Sequence, residues 1–216
     1  MTLQREDVLA ALPPVWDADL HPQIEAIVTA SGVKVVVLDD DPTGTQTVHD
    51  VSVLMDASVP TLRAALADPD PVVYILTNTR SMPLAEAQAL NREIARNLEQ
   101  ARAATGRDVV IISRSDSTLR GHYPGEIDAL RHTLPGTFDG ILIIPFFIEG
   151  GRLTIGDTHY VTDGDALIPA AQTEYARDAV FGYRESDLRA WVAEKHKGDL
   201  VVDDVARVTL DDLRRG

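Results

Sequence analysis

Cysteine is absent from the 216 residues of this sequence, which excludes disulfide bonds, thiolate zinc sites, iron–sulfur clusters and a cysteine nucleophile. Positive charge is also scarce: 20 Lys and Arg stand against 34 Asp and Glu, for a formal net charge of -14. Nucleic acids and anionic membranes require a basic surface, so neither is an expected partner. No apolar run reaches the ~18 residues of a membrane span, and the N-terminus lacks a signal-peptide pattern. We therefore expect a cytoplasmic protein.

The remaining composition is that of a globular protein, with 44% hydrophobic and 25% charged residues. A chain of this length can bury roughly 70% of the surface that its unfolded form exposes. We therefore expect one domain over residues 1–216. The sequence does not determine the oligomeric state, so a monomer and a homo-oligomer both remain open.

Several apolar runs rich in β-branched residues predict the strands of a sheet. They are continuous rather than alternating, which is typical of strands covered on both faces in a parallel sheet. Helix-forming segments lie between them, which favours right-handed crossovers. The sequence predicts an α/β fold: an open, mostly parallel sheet with helices on both faces, Rossmann-like and three-layered. The predicted strands are 33–38, 72–76, 109–112, 141–144 and 200–202, and the predicted helices are 5–12, 21–31, 83–104, 124–134 and 186–195, the last capped by Ser186.

Polar side chains follow the predicted strands at their carboxyl ends, where open α/β sheets bind ligands. Four arginines among them suit a small anion, because a guanidinium pairs bidentately with carboxylate or phosphate oxygens. Any one group could instead be a loop residue in a surface ion pair, contributing roughly 0–1 kcal/mol. Their joint placement favours a site, and no HxH or HExxH spacing predicts a metal ligand. The candidates are Asp39, Asp40, Asp41, Thr43, Gly44, Arg80, Arg114, Asp116, Ser117, Thr118, Arg120 and Arg152.

One pattern resembles a phosphatase. The run ending at Leu38, followed by Asp39-x-Asp41-x-Thr43, is similar to the first motif of haloacid dehalogenase-type phosphatases, with a nucleophilic Asp and a general acid/base Asp. Leu76-Thr77-Asn78 is similar to their second motif. Their third motif is a lysine that neutralises the phosphoenzyme, and no lysine here lies on a suitable loop, so Arg114 would have to replace it.

A broader resemblance covers the chain from the first predicted strand to Tyr160. Four blocks, in order, are similar to the sugar-binding N-terminal domain of the four-carbon acid sugar kinases. The six-residue block Asp-Ser-Thr-Leu-Arg-Gly is the most specific of them. The blocks are LDDDPTGT at 38–45, NTR at 78–80, DSTLRG at 116–121, and PFF at 145–147 with Gly151-Arg152-x-Thr154.

The resemblance implies an enzyme that uses ATP and Mg²⁺ to phosphorylate the terminal hydroxyl of threonate, erythronate or an oxo-tetronate. Asp40 and Asp41 match the family's acidic pair, and either could be the catalytic base. Arg80, Arg120 and Arg152 match its anion-binding positions. The remaining candidates would bind the sugar acid, the hydroxyls of Ser117 or Thr118 assisting at its carboxylate.

The chain departs from this family in length. Its members carry a second, C-terminal domain for the nucleotide, and the sequence contains neither GxxxxGK[ST] nor GxGxxG as a phosphate cradle. We therefore expect the N-terminal half of a two-domain kinase, inactive until a nucleotide-binding domain is supplied in cis or in trans. A binding or regulatory module without catalysis would use the same pocket, and the sequence does not separate the two.

Overall fold

The computed structural model describes residues 3–215 and contains eight strands and seven α-helices within them. The strands are β1 (Leu3–Gln4), β2 (Lys34–Asp39), β3 (Ser52–Leu54), β4 (Val72–Leu76), β5 (Val109–Arg114), β6 (Arg152–Ile155), β7 (Thr158–Asp163) and β8 (Ala166–Pro169). The helices are α1 (Arg5–Ala10), α2 (His21–Ser31), α3 (Val59–Ala67), α4 (Leu84–Thr105), α5 (Gly125–Thr133), α6 (Leu188–Lys195) and α7 (Leu210–Arg215). Short 3₁₀ helices occupy Thr79–Ser81, Ala170–Gln172, Glu174–Arg177 and Val202–Asp204.

The chain forms two compact units, each with its own sheet. The parallel-sheet unit comprises residues 15–115 and 121–140. The antiparallel-sheet unit comprises the described residues of 1–14, together with 116–120 and the described residues of 141–216. The candidate site residues are therefore divided between two units.

The parallel-sheet unit is built on four parallel strands in the order β3-β4-β2-β5. β2 lies between two neighbours, with Asp39 opposite Leu76 of β4 and Arg114 of β5. Five of its six residues are buried, which is why its valine run is continuous rather than alternating. Because the three strands end level with one another, the residues that follow them meet at one edge of the sheet.

Helices α3, α4 and α5 cover one face of this sheet. The buried positions of α4 recur every three or four residues, as one stripe of an amphipathic helix requires. On the opposite face, Val110 and Ile112 of β5 are 52% and 47% exposed. The core between the sheet and the helices contains Val36, Leu38, Leu62, Leu66, Val73, Ile75, Ile94, Ala95, Leu98, Ala101 and Leu130.

The antiparallel-sheet unit contains the order β1-β8-β7-β6, every pair antiparallel. β7 alternates buried and partly exposed residues over most of its length, the pattern of a strand covered on one face. α6 begins after Asp187, whose side chain accepts hydrogen bonds from the amides of Arg189 and Ala190, both at 3.0 Å. The expectation that Ser186 caps this helix is wrong, because its hydroxyl instead accepts a bond from the amide of Ala171 (2.9 Å).

The predicted α/β class and its parallel sheet are confirmed. The five predicted helices are α1, α2, α4, α5 and α6, each within two residues of its predicted ends, whereas α3 was not predicted. Two predicted strands are wrong. Residues 141–144 form no strand in the described chain, and Leu142 and Ile144 are 73% and 67% exposed. The run at 200–202 leads into the 3₁₀ helix Val202–Asp204 instead. Within residues 3–215, no helix combines the length and the apolar character that crossing a membrane takes.

Candidate functional site

The acidic turn after β2 carries the first group of candidate residues, at the edge where β4 and β5 also end. The main chain there is tied to both neighbours: the amide of Asp40 donates to the carbonyl of Arg114 (3.3 Å), and the amide of Arg80 donates to the carbonyl of Asp40 (3.1 Å). Asn78 adopts a left-handed conformation (φ 52°), after which one 3₁₀ turn begins and carries Arg80. Local backbone geometry thus places Arg80 against the acidic turn.

Asp40 is held from both sides. Its two oxygens accept hydrogen bonds from Nη2 and Nε of Arg80 (2.5 and 3.0 Å), a bidentate arrangement. Oδ2 also accepts a bond from the hydroxyl of Ser115 (2.8 Å), at the end of β5. The side chain is 4% exposed. Both oxygens of Asp40 are therefore engaged within the protein.

Asp41 is the more open member of the pair, with 26% of its side chain exposed. Oδ2 accepts a bond from Nη1 of Arg80 (3.1 Å), and Oδ1 accepts bonds from the amide (2.8 Å) and the hydroxyl of Thr43. Burial alone would raise the pKa of Asp41, but these bonds from Thr43, with the charges of Arg80 and Arg114, hold the pKa below its usual value. Asp41 is thus stabilised as a carboxylate.

Asp39 lies deeper, and only 2% of the residue is exposed. Burial raises the pKa of Asp39, while the guanidinium of Arg114, whose Nη1 donates to Oδ1 at 3.2 Å, opposes that rise. The chain folds over this carboxylate at Gly44. A Cβ on Gly44 would lie 1.9 Å from Oδ2 and 2.1 Å from Oδ1, so only glycine fits there.

Gly121 has a similar role beside Ser115. Its φ of 149° lies in the region that side chains rarely adopt, and a Cβ there would lie 2.2 Å from the Ser115 hydroxyl. The absence of a side chain at Gly121 therefore leaves room for the Ser115 hydroxyl that donates to Asp40. Sequence reasoning missed Ser115 as a site residue; its position directly after a strand was the available signal.

The second group of candidates lies in the antiparallel-sheet unit, in the segment 116–120 and around Arg152. Asp116 accepts a hydrogen bond from Nε of Arg120 (2.6 Å) and another from the hydroxyl of Thr118. Leu119 between them takes a left-handed conformation (φ 66°), a costly choice for a residue with a Cβ. This tight turn presents Arg120 beside its own counter-ion.

Arg120 and Arg152 are brought together by Tyr175, which sequence reasoning missed. Their guanidinium carbons lie 5.1 and 5.7 Å from the centroid of the Tyr175 ring, within the range of cation–π contact. Nη2 of Arg152 also donates to the Tyr175 hydroxyl at 3.3 Å. Nη1 of Arg152 donates to the carbonyl of Gly150. No short-range motif links positions 120, 152 and 175, so only the fold could reveal this set.

Two buried rings support the segment 116–120 from within the same unit. His159 is fully buried, and its Nε2 lies 2.7 Å from the carbonyl of Ser117. The hydroxyl of Tyr183 donates to the carbonyl of Thr118 at 2.7 Å. Burial, reinforced by the charge of Asp116, raises the pKa of Tyr183. The main chain of the segment 116–120 is therefore hydrogen-bonded to side chains from distant parts of the sequence, and the part that Ser117 contributes is its carbonyl group.

Low pH should destabilise the fold through His159. Burial lowers the pKa of His159 and Arg152 adds to that effect, while the bond to Ser117 and the charge of Asp116 oppose it. In the unfolded chain the pKa of His159 is about 6.5, so below that pH the unfolded chain binds a proton more readily than the folded chain does. The free energy of unfolding therefore falls as the pH drops below about 6.5. Urea unfolding at a series of pH values checks this. In His159→Gln the free energy of unfolding should depend less on pH, by up to about 1.4 kcal/mol per pH unit. In the control His21→Gln, which replaces an exposed histidine, the dependence should equal that of the wild type. Equal pH dependence in the two variants would contradict the prediction.

The structure thus forms two clusters from the candidates. Asp39, Asp40, Asp41, Thr43, Gly44, Arg80 and Arg114 meet at the carboxyl edge of the parallel sheet. Asp116, Thr118, Arg120 and Arg152 gather around Tyr175, with Asp178 as a further acidic neighbour 3.9 Å from Arg120. Within residues 3–215, no three His, Asp or Glu side chains are arranged to hold a metal ion.

Comparison with known proteins identifies the family. Residues 35–216 match the model of a family described as the sugar-binding N-terminal domain. The chain is also similar to the D-erythronate kinase of Heliobacterium modesticaldum, with 36% identity over 108 residues, which cover 50% of this chain and 22% of that enzyme. The chain thus spans well under two thirds of the curated relative that it matches. Since the family model matches most of the chain, the protein belongs to the four-carbon acid sugar kinase family, as a sugar-binding N-terminal domain.

Proposed function

We propose that this chain binds a four-carbon sugar acid, such as erythronate, threonate or an oxo-tetronate, for phosphorylation of its terminal hydroxyl. The observation that carries the proposal is the arginine cluster around Tyr175 in a chain that matches a sugar-binding domain. Carboxylates accept hydrogen bonds from polyol hydroxyls, and guanidinium groups bind a sugar acid's carboxylate. A sugar acid carries both hydroxyls and a carboxylate, so each of the two clusters offers groups that suit it.

Within the acidic turn, we propose Asp41 rather than Asp40 as the base that positions the attacking hydroxyl. Both carboxylates accept hydrogen bonds through both oxygens, but 26% of the Asp41 side chain is exposed and only 4% of that of Asp40. The lowered pKa of Asp41 keeps it ionised at neutral pH. Phosphoryl transfer depends mainly on positioning and charge neutralisation, so an ionised carboxylate that orients the hydroxyl suffices.

The proposal assigns ATP and Mg²⁺ mainly to a nucleotide-binding domain, in cis or in trans, in a cytoplasmic enzyme. The chain described here would bind and orient the sugar acid and would turn over only with that domain present. In this proposal residues 1–216 are the sugar-binding half of that enzyme. Phosphorylation by this chain alone would show that the assignment of the two halves is wrong.

A thermal-shift screen of the whole chain tests the binding proposal. We expect D-erythronate, threonate or an oxo-tetronate to stabilise the protein by about 2.7 kcal/mol at a ligand concentration of about 100 times Kd. ATP with Mg²⁺ alone should give little shift. Stabilisation by ATP and by none of the sugar acids would contradict the proposal.

The phosphatase alternative can be tested on the same sample. A nucleophilic Asp39 would have to reach phosphorus, but its carboxylate is almost fully buried, covered by Gly44 and paired with Arg114. Beryllofluoride with magnesium traps phosphoaspartate enzymes, so we expect no tight complex here. Hydrolysis of p-nitrophenyl phosphate that Asp39→Asn abolishes would favour the phosphatase instead.

A further inference from the structure

The four arginines of the candidate site differ in how their charge is balanced. Arg80 pairs with Asp40 and Asp41, and Arg114 and Arg120 each pair with an aspartate at 3.2 and 2.6 Å. Arg152 is different: among residues 3–215, no carboxylate lies within ion-pairing distance of its guanidinium. Its charge is therefore not neutralised by a partner in the described chain.

The hydrogen bonds of Arg152 are incomplete as well. Nη1 donates to the carbonyl of Gly150 and Nη2 to the Tyr175 hydroxyl, both neutral acceptors. Nε is buried and finds no acceptor among the described residues. Leaving a charged donor without its acceptor is costly, so an anion that contacts the exposed part of this guanidinium would bind favourably.

Tyr175 determines where this guanidinium lies. Its ring contacts Arg152 at 5.7 Å and Arg120 at 5.1 Å, and its hydroxyl oxygen accepts from Arg152. The hydrogen of the same hydroxyl has no acceptor among residues 3–215. A guanidinium and a phenolic donor thus lie side by side, and together they match the two oxygens of a carboxylate.

We propose that Tyr175 is a positioning residue that holds Arg152 as the receptor for the substrate's carboxylate. The proposal rests on the proposed function and names the arginine that recognises the acid. Arg120 is a poorer receptor because its Nε already donates to Asp116, and Asp178 lies 3.9 Å from its Nη1. Arg120 thus faces two carboxylates, whereas Arg152 has none within ion-pairing distance among residues 3–215, so Arg152 is the arginine of the cluster that lacks a counter-ion.

Calorimetric titration of the whole chain with two probes tests this. D-erythronate carries the carboxylate, and erythritol has a hydroxymethyl group in its place. We expect Arg152→Met to weaken D-erythronate binding at least about 10-fold, the scale of a charged hydrogen bond, and to leave erythritol binding unchanged. Tyr175→Phe removes the hydroxyl but keeps the ring and should cost about 5-fold, and Tyr175→Leu should cost more because the ring is lost too.

Tyr160→Phe is the matched control, since it removes a hydroxyl in the same unit but outside the arginine cluster; its affinities should equal those of the wild type. A merely structural role for Tyr175 would weaken both probes alike, and that result would overturn the proposal. Unchanged D-erythronate affinity in Arg152→Met would overturn it too. Failure of the proposed function is distinguishable, because the wild-type chain would then bind neither D-erythronate nor another sugar acid, and the inference would fall with it.

Discussion

Replacement of Arg80 by methionine should lower the free energy of unfolding by about 3–5 kcal/mol, the usual cost of removing one partner from a buried ion pair. Arg80 is the bidentate partner of Asp40, and it also bonds to Asp41. Without it, a carboxylate that is 4% exposed keeps the Ser115 hydroxyl as a hydrogen-bond donor and the more distant guanidinium of Arg114, 3.9 Å away. Urea unfolding followed by circular dichroism measures the loss.

Arg102→Met is the matched control for this variant. Arg102 pairs with Glu99 at 3.1 Å, the same distance that separates Arg80 from Asp41, but the side chains of Arg102 and Glu99 are 40% and 38% exposed. Exposed pairs contribute little, so Arg102→Met should cost only about 0–1 kcal/mol. Equal losses in the two variants would mean that the acidic turn is not stabilised by its buried ion pair.

Replacement of Gly44 by alanine should have the largest effect on ligand binding. The new methyl group would overlap both oxygens of Asp39, and that carboxylate cannot give way because it is buried and bound to Arg114. The turn that carries Asp41 and Thr43 must then move. We expect sugar-acid affinity to fall by more than about 10-fold, and stability by about 1–3 kcal/mol, as is common for overpacking.

Calorimetric titration with D-erythronate, together with urea unfolding, measures both effects. Gly140→Ala serves as the control in the same unit, since a Cβ at Gly140 meets nothing within 4 Å. The control should match the wild type in affinity and stability. If Gly44→Ala binds D-erythronate normally, the acidic turn does not contact the substrate and its place in the proposed site is wrong.

The sequence predicted the parts of the fold that local pattern determines. The valine run of β2, the long helix α4 and the left-handed glycine that ends it (Gly106, φ 69°) are each encoded within a few consecutive residues. The run at 141–144 has equally strong strand character, yet it forms no strand. A strand also requires hydrogen bonds from a neighbour, and apolar composition does not specify that neighbour. Conversely, β7 was overlooked because its polar residues concealed an alternating pattern.

The candidate site shows the same division. The acidic turn could be found because its residues are consecutive, and Arg80 because it closely follows a strand. Tyr175 could not, since it lies in a short 3₁₀ helix and meets Arg120 and Arg152 only through the fold. The partners of each arginine were equally hidden, because ion pairing depends on distances in space. Residue type predicted an anion site, and only the contacts distinguish Arg152 from the other three.

The division of the chain between its units has a consequence for how the protein is made. The segment 116–120 belongs to the antiparallel-sheet unit, although the chain before and after it belongs to the other unit. No single cut can therefore yield either unit as one continuous fragment, and a limited digest between 15 and 140 would break the parallel-sheet unit. Closing long loops costs entropy before the contacts that repay it have formed. The parallel-sheet unit, built largely from 15–115, should therefore fold first during synthesis, and the antiparallel-sheet unit can be completed only after residues 141–216 have emerged.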